Sequence, residues 1–369
     1  MADPEPRLAT AEEFPALLDL VDRCFHHPEG GLAARWPHCY DRDRPGRHAV
    51  IERDGRVVAH VGCIPDTLVV GDHTIETWGI SGVATDPRYR GEGHMSALLG
   101  FWLDRMAAAG VPLSKLGGDR TRYGRFGWEA AGRDRRYRVT PRSLAWDGDS
   151  SRVRRYDESD LPAVRELYES RRLRMDRDER DYRERLGRRQ VQTLLYGEEA
   201  YIAFTRGGEE GRVFEAEGSR EGVRTLLGHA LAAYGLDALV CHRHPDDALA
   251  GLFGAPDVSN ESTTHPHRMV YVRDLPAVLA AFEGQMARRW DGGDGTVSVG
   301  IEGETAARIG YGSGGVSVSE AGDADLVLDR RAATRLLFGD AATVPGYRGH
   351  PFLDAVLPLD FYVPRTDTV

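Results

Sequence analysis

Arg88-x-x-Gly91-x-Gly93, within Val83 to Met95 (VATDPRYRGEGHM), combines the residue types that hold an anion. Glycine has no Cβ to stop a tight backbone turn, and the amides that follow open a helix whose first N–H groups lack an intrahelical partner. Such an end attracts phosphate, and Arg88 and Arg90 add positive charge beside it. No Lys-Ser/Thr follows the glycines, so a nucleoside-triphosphate loop is excluded. The spacing also departs from the G-x-G-x-x-G of a dinucleotide site.

The loop needs a strand before it and a helix after it. TIETWGISGVAT supplies the strand, and Met95, Leu98, Leu99, Trp102, Leu103 and Met106 recur at the α-helical period. Upstream, Thr10 and Glu13 form a capping-box pattern before Phe14, Leu17, Leu18, Val21 and Phe25, which predict a helix. HAVIER and RVVAHVGCIP read as strands joined through Asp54-Gly55, a two-residue hairpin signal. Downstream, VPLSKLGG reads as a strand, YGRFGW as a short helix or turn, and RRYRVT as a closing strand. The expectation is a mixed α/β layer.

The chain has 369 residues, more than one hydrophobic core usually supports, so several domains are expected. Net charge of -10 argues against general binding to nucleic acid or anionic membranes. Lys115 is the single lysine. Cys24, Cys39, Cys63 and Cys241 show neither a C-x-x-C pair nor metal-ligand spacing, so free thiols in a reducing compartment are expected. His242, His244, His265 and His267 have no matching second pair, and no metal is expected. Without an apolar leader or a run of eighteen apolar residues, the protein is expected to be cytoplasmic.

Leu161-Pro162-Ala163-Val164 echoes Phe14-Pro15-Ala16-Leu17, and AYIAFTR, RVFEAEG and VRTLLGHALAAYG continue the echo as strands and a helix. One supersecondary start met twice suggests duplication, although the second copy carries no R-x-x-G-x-G. From about residue 270 the texture becomes α+β. The tail, HPFLDAVLPLDFYVPRTDTV, stays apolar where chain ends are usually polar, so it is expected to dock.

R-x-x-G-x-G after a strand resembles the acetyl-CoA loop of the GNAT acetyltransferase superfamily. With Tyr123-Gly124-Arg125-Phe126-Gly127 and Ser81-Gly82-Val83, the chain resembles the Eis-type (enhanced intracellular survival) acetyltransferases. That resemblance implies an α/β fold of tandem GNAT-like domains followed by a sterol-carrier-like α+β domain. The corresponding segments are a catalytic domain over 1–148, a degenerate copy over 149–268, and a C-terminal domain with docked tail over 269–369.

It also implies roles. Tyr123 would be the general acid and the terminal carboxylate of Val369 the general base. Acetyl-CoA, the co-substrate, would lie along Val83, Ala84 and Thr85, over Arg88, Arg90, Gly91, Glu92, Gly93, His94, Met95 and Ser96, and beside Gly118 and Asp119. The family usually carries Ser-Glu at that last pair. A phenol of pKa near 10 can protonate a departing thiolate, whereas an α-carboxyl of pKa near 3.5 is a poor base unless desolvated. Glu76 and Asp119 are therefore rival bases.

The acceptor is expected to be a primary amine of a small molecule or peptide, an aminoglycoside among the candidates. Trp36 would form a wall of its pocket, and Glu76 would contribute to it. The segment around Phe25-His26-His27 and Trp36 offers few carboxylates for a polycation. By resemblance the protein would form a homo-oligomer, a hexamer. The alternatives are a catalytically silent CoA-binding scaffold or a lipid carrier.

Overall fold

The structure, a computed structural model, describes residues 5–28, 31–188 and 190–368. The chain groups into two compact units. One comprises residues up to Ala131 together with Arg268–Leu359, and the other Gly132–His267 together with Asp360–Thr368. The segment from Arg268 thus divides at Leu359, its larger part going with the first unit. Past that point the tail packs within the second unit. Tyr362 stacks on His267 with ring centroids 4.3 Å apart and donates its hydroxyl to the His242 carbonyl at 2.9 Å. Asp367, fully buried, accepts from Arg177 and from the Tyr168 hydroxyl.

In the first unit, Arg7–Leu8, His48–Arg53, Arg56–Val70 and His73–Thr85 lie side by side and antiparallel. Leu113–Leu116 then joins His73–Thr85 in parallel and pairs on its other side with residues 269–272. The Asp54-Gly55 hairpin forms as expected, both residues having positive φ (49° and 71°), as a tight primed turn requires. Helix His94–Ala108 buries Leu98, Leu99, Trp102 and Met106 against Ala49, Ile51, Val61 and Ile80. Helix Phe14–Phe25 buries Phe14, Leu17, Leu20 and Val21. Leu20 joins that inner face, Leu18 packs half-buried against the same cluster as expected, and Phe25 stands 46% exposed at the helix end. Glu13 makes only half of the expected capping box, accepting from the Thr10 N–H at 2.9 Å while Arg7 holds the same carboxylate.

One irregularity shapes the site. Pairing between Arg56–Val70 and His73–Thr85 slips between His60 and Gly62, opposite Ala84 and Ser81. Gly82, at φ 56°, sits in this bulge, and a Cβ there would lie 2.2 Å from the Tyr40 hydroxyl. The His60 Nδ1–H donates to the Gly82 carbonyl at 2.7 Å, which leaves His60 Nε2 to accept from His48 Nδ1 at 3.0 Å. Pairing with Leu113–Leu116 runs only from Thr77 to Ile80. Past Ile80, that side of His73–Thr85 is open.

Burial holds both imidazoles neutral, pushing His60 down to about 4 and His48 to about 2, His60 and Arg47 adding to the latter. The unfolded chain therefore binds more protons than the folded one at mildly acid pH. Stability is full above the ordinary histidine pKa and falls as pH drops below about 6.5, by about 1.4 kcal/mol per unit for each imidazole kept neutral. Urea midpoints measured from pH 7 to 5 should decline, and His48→Gln should flatten the slope. An unchanged slope in that variant would contradict the assignment.

The rest of the first unit has helices Leu275–Ala281 and Glu283–Arg289. They are followed by a four-stranded sheet ordered Gly315–Ala321, Ala306–Gly312, Gly295–Ile301, Leu326–Leu328, and by helix Arg330–Phe338.

In the second unit, Val153–Arg155, Val191–Tyr196, Ala200–Gly207 and Glu210–Gly218 pair antiparallel in that order. Helix Arg220–Tyr234 leads to Ala238–Arg243, which joins Glu210–Gly218 in parallel. The strand order is that of the first unit. Its core gathers Phe204, Leu226, Leu227 and Phe253.

Candidate functional site

Gly91 and Gly93 have φ of 86° and 82°, and no protein atom lies within 4 Å of where a Cβ would stand on either. Glycine is thus required here by the left-handed backbone, and the side facing outward stays open. Helix His94–Ala108 starts on Gly93 with no side-chain cap, and its Ala97 N–H bonds the Gly93 carbonyl at 3.0 Å. The amides of His94, Met95 and Ser96 therefore have no acceptor within the helix. Concentrated at the positive end of a 15-residue helix, they form an anion site.

This end opens into a cleft of about 630 Å³. Val83, Ala84 and Thr85 from the open strand edge line it, with Arg90, Gly91, Gly93, His94, Met95 and Ser96 from the loop and helix start. These nine residues of the expected cofactor set are brought together. Cys24, Phe25, Tyr89, Arg122 and Arg125 complete the lining, which contains three arginines and no carboxylate. Sequence reading assigned none of these five to the cofactor. Arg122 and Arg125 could have been found from their i, i+3 spacing, Arg125 being the still-helical C-cap of the short helix, which turns both side chains the same way.

Other expected residues stand elsewhere. Asp86 accepts from Arg88 Nε at 3.1 Å and from its Nη2 at 3.0 Å, so Arg88 neutralises a neighbouring carboxylate and does not line the cleft. Hydrogen bonds from the Arg88 side chain and backbone hold the Asp86 carboxyl well below its usual range. Glu92 lies 3.3 Å from His94 Nε2 and 3.7 Å from Arg53. Glu76 is exposed and accepts from the Trp78 indole at 2.8 Å. It precedes Val83 by seven positions along the strand, a span of about 23 Å, so it is not at the cleft. Trp36, half-buried, packs edge-on to His27 and under Arg35 rather than lining the cleft. Val369 lies outside the described residues.

Gly118 and Asp119 take structural roles that build the next element. Asp119 caps helix Arg120–Gly124, accepting from the Arg122 N–H at 2.8 Å, so its carboxylate is engaged. A Cβ on Gly118 would lie 2.2 Å from the Tyr123 ring, so the glycine makes room for the phenol. Tyr123 is 7% exposed, its ring within the core cluster of Leu98, Leu99 and Trp102. Burial raises its pKa, while the charge and hydrogen bond of Arg122, which does line the cleft, pull the other way. The phenol is protonated at neutral pH.

Among the described residues, His244, Asp246 and Asp360 of the second unit come together at metal-ligand distances. Arg133 Nη2 already sits 2.6 Å from Asp246 and 3.3 Å from Asp360, supplying the positive charge there. No helix among the described residues is long and apolar enough to cross a membrane.

Residues 5–131 match the family model described as "Acetyltransferase (GNAT) domain". No curated protein matches the chain. Among solved structures it is similar to a GCN5-related N-acetyltransferase from Kribbella flavida, at TM-score 0.75 and 19% identity over 99% of each chain. A GCN5-related N-acetyltransferase from Anabaena variabilis superposes at TM-score 0.74 and 18% identity, covering 99% of this chain and 100% of that one. Eis1 from Mycobacterium abscessus follows at 0.67 and 17%, over 98% of each. These structures establish the fold over nearly the whole chain. The GNAT domain over residues 5–131, with the anion cradle and open strand edge it carries, makes the protein an acyltransferase enzyme.

Proposed function

We propose that the protein transfers an acetyl group from acetyl-CoA to a primary amine of a small molecule or peptide. The observation that carries this reading is the uncapped helix start at His94, opening beside Arg90, Arg122 and Arg125 onto the unpaired edge of residues 83–85. The pyrophosphate would sit on the amides of His94 to Ser96, and the pantetheine arm would lie along the strand edge as an extra strand does. Amine attack on the thioester carbonyl forms a tetrahedral oxyanion, which backbone amides near Val83 and Ala84 would stabilise. Collapse expels the thiolate, and Tyr123 donates its proton to it. The resemblance assigns the base to the carboxylate of Val369. Deleting that residue tests the assignment by its effect on kcat.

A cleft lined by arginines without a carboxylate disfavours a polycationic acceptor such as an aminoglycoside. Acceptors that carry a single amine fit this electrostatics better. Thiol release from acetyl-CoA, assayed with amino acids, monoamines, peptides and an aminoglycoside, should rise with one of the first three. Release that no amine stimulates would contradict the reading.

The second unit is read as a degenerate copy of the same fold. Where the first has an open loop, Ser219 caps helix Arg220–Tyr234, accepting from the Gly222 N–H at 3.1 Å. Gly218 is packed so closely that a Cβ would stand 2.0 Å from the Glu199 carbonyl oxygen. On this reading a side-chain cap replaces the anion at that helix start. Residues 269–369 are read as the sterol-carrier-like part with its docked tail, and a hexamer is proposed from resemblance.

A further inference from the structure

Helix Arg120–Gly124, which leads Tyr123, Arg122 and Arg125 to their places, has five residues. So short a helix does not hold itself in water. Its support comes from Glu129, whose carboxylate is fully buried. That carboxylate accepts from Arg120 Nη2 at 2.9 Å, Arg331 Nε at 3.1 Å, Arg335 Nη1 at 2.7 Å and the Ala130 N–H at 2.8 Å. Arg120 belongs to the short helix, and Arg331 and Arg335 stand one turn apart on helix Arg330–Phe338.

The same distant helix also touches the segment directly. A Cβ on Gly124 would lie 3.0 Å from the Arg331 guanidinium carbon. On Gly127, at φ 102°, it would lie 2.8 Å from the Tyr271 ring and 3.1 Å from Arg330 Cδ. Arg330 in turn covers that ring, 4.2 Å from its centroid. Burial alone would raise the Glu129 carboxyl, but the Arg120 and Ala130 hydrogen bonds and the arginine charges outweigh it and hold it down to about 2. The carboxylate is therefore charged at neutral pH.

We propose that Glu129, Arg331 and Arg335 are positioning residues for acyl transfer, fastening the helix that carries Arg122 and Tyr123 and ends on Arg125. Helix Arg330–Phe338 is thereby a working part of the site without touching substrate. The inference rests on reading the cleft as the acyl-CoA site.

Arg331 is 38% exposed, so Arg331→Ala is the variant that the fold should tolerate, with Glu129→Gln as its stronger counterpart. In the full chain, Arg331→Ala should speed amide hydrogen exchange across residues 119–127 while helix His94–Ala108 keeps its protection. It should also weaken acetyl-CoA binding and lower kcat/KM, by up to about tenfold for a binding group set slightly out of place. Arg331→Lys should recover part of both. Unchanged exchange in residues 119–127 would overturn the proposal, and so would faster exchange with unchanged acetyl-CoA affinity and kcat/KM. The exchange readout uses no acyl-CoA, so failure of the acyl-transfer reading shows separately, as wild-type protein that takes up no acetyl-CoA.

Discussion

Tyr123→Phe is expected to lower kcat for acetyl transfer about a hundredfold or more, while acetyl-CoA affinity stays within about twofold of wild type. The phenylalanine ring fills the place beside Gly118 and within the cluster of Leu98, Leu99 and Trp102, so packing and the cleft survive. Only the hydroxyl is lost. Burial raises the phenol's pKa and Arg122 opposes that rise, so the proton is present at neutral pH and is held by a group that can give it to a thiolate. An interaction needed only as the thiolate departs appears in kcat and not in binding. If Tyr123→Phe kept its full kcat, water would be protonating the thiolate and the assignment of the acid would fall.

Gly82→Ala should show a large loss of stability. Alanine at φ 56° is strained, and its Cβ would meet the Tyr40 hydroxyl at 2.2 Å. Tyr40 cannot easily yield, being buried and stacked on His48 with centroids 5.6 Å apart. Backbone strain and the displaced tyrosine together should cost about 2–4 kcal/mol. Because the bulge aims residues 83–85 into the cleft, the folded remainder should also bind acetyl-CoA more weakly. Gly46→Ala is the control, since its Cβ would meet nothing within 4 Å and its φ is ordinary. Denaturant midpoints that fell equally in the two variants would place the effect elsewhere.

What could be read from the sequence was local. The loop from Arg90 to Gly93, the amphipathic helix after it and the Asp54-Gly55 hairpin each depend on neighbours a few residues apart, and each lies where expected. The docking of the tail also followed from its apolar composition, though its partners in the second unit did not. Local signals failed where a side chain was already committed. Arg88 looked like a free cation until Asp86, two residues away, was seen to hold it. Asp119 proved to be a helix cap and Gly118 a space for a ring. Glu76 stood on the right strand but seven residues too early. Glu129 gave no sequence signal, because its partners Arg331 and Arg335 lie some 200 positions on. Only a folded chain brings them together.

On the proposed reading, the cleft beginning at Gly91 is the single acyl-CoA site of the chain. Calorimetric titration of acetyl-CoA into the full protein tests it most directly. One acetyl-CoA per chain is expected, with Arg122→Ala and Arg125→Ala both weakening it, because the corresponding helix of the second unit, Arg220–Tyr234, is capped by Ser219. Absence of binding, or two equivalents per chain, would contradict the account.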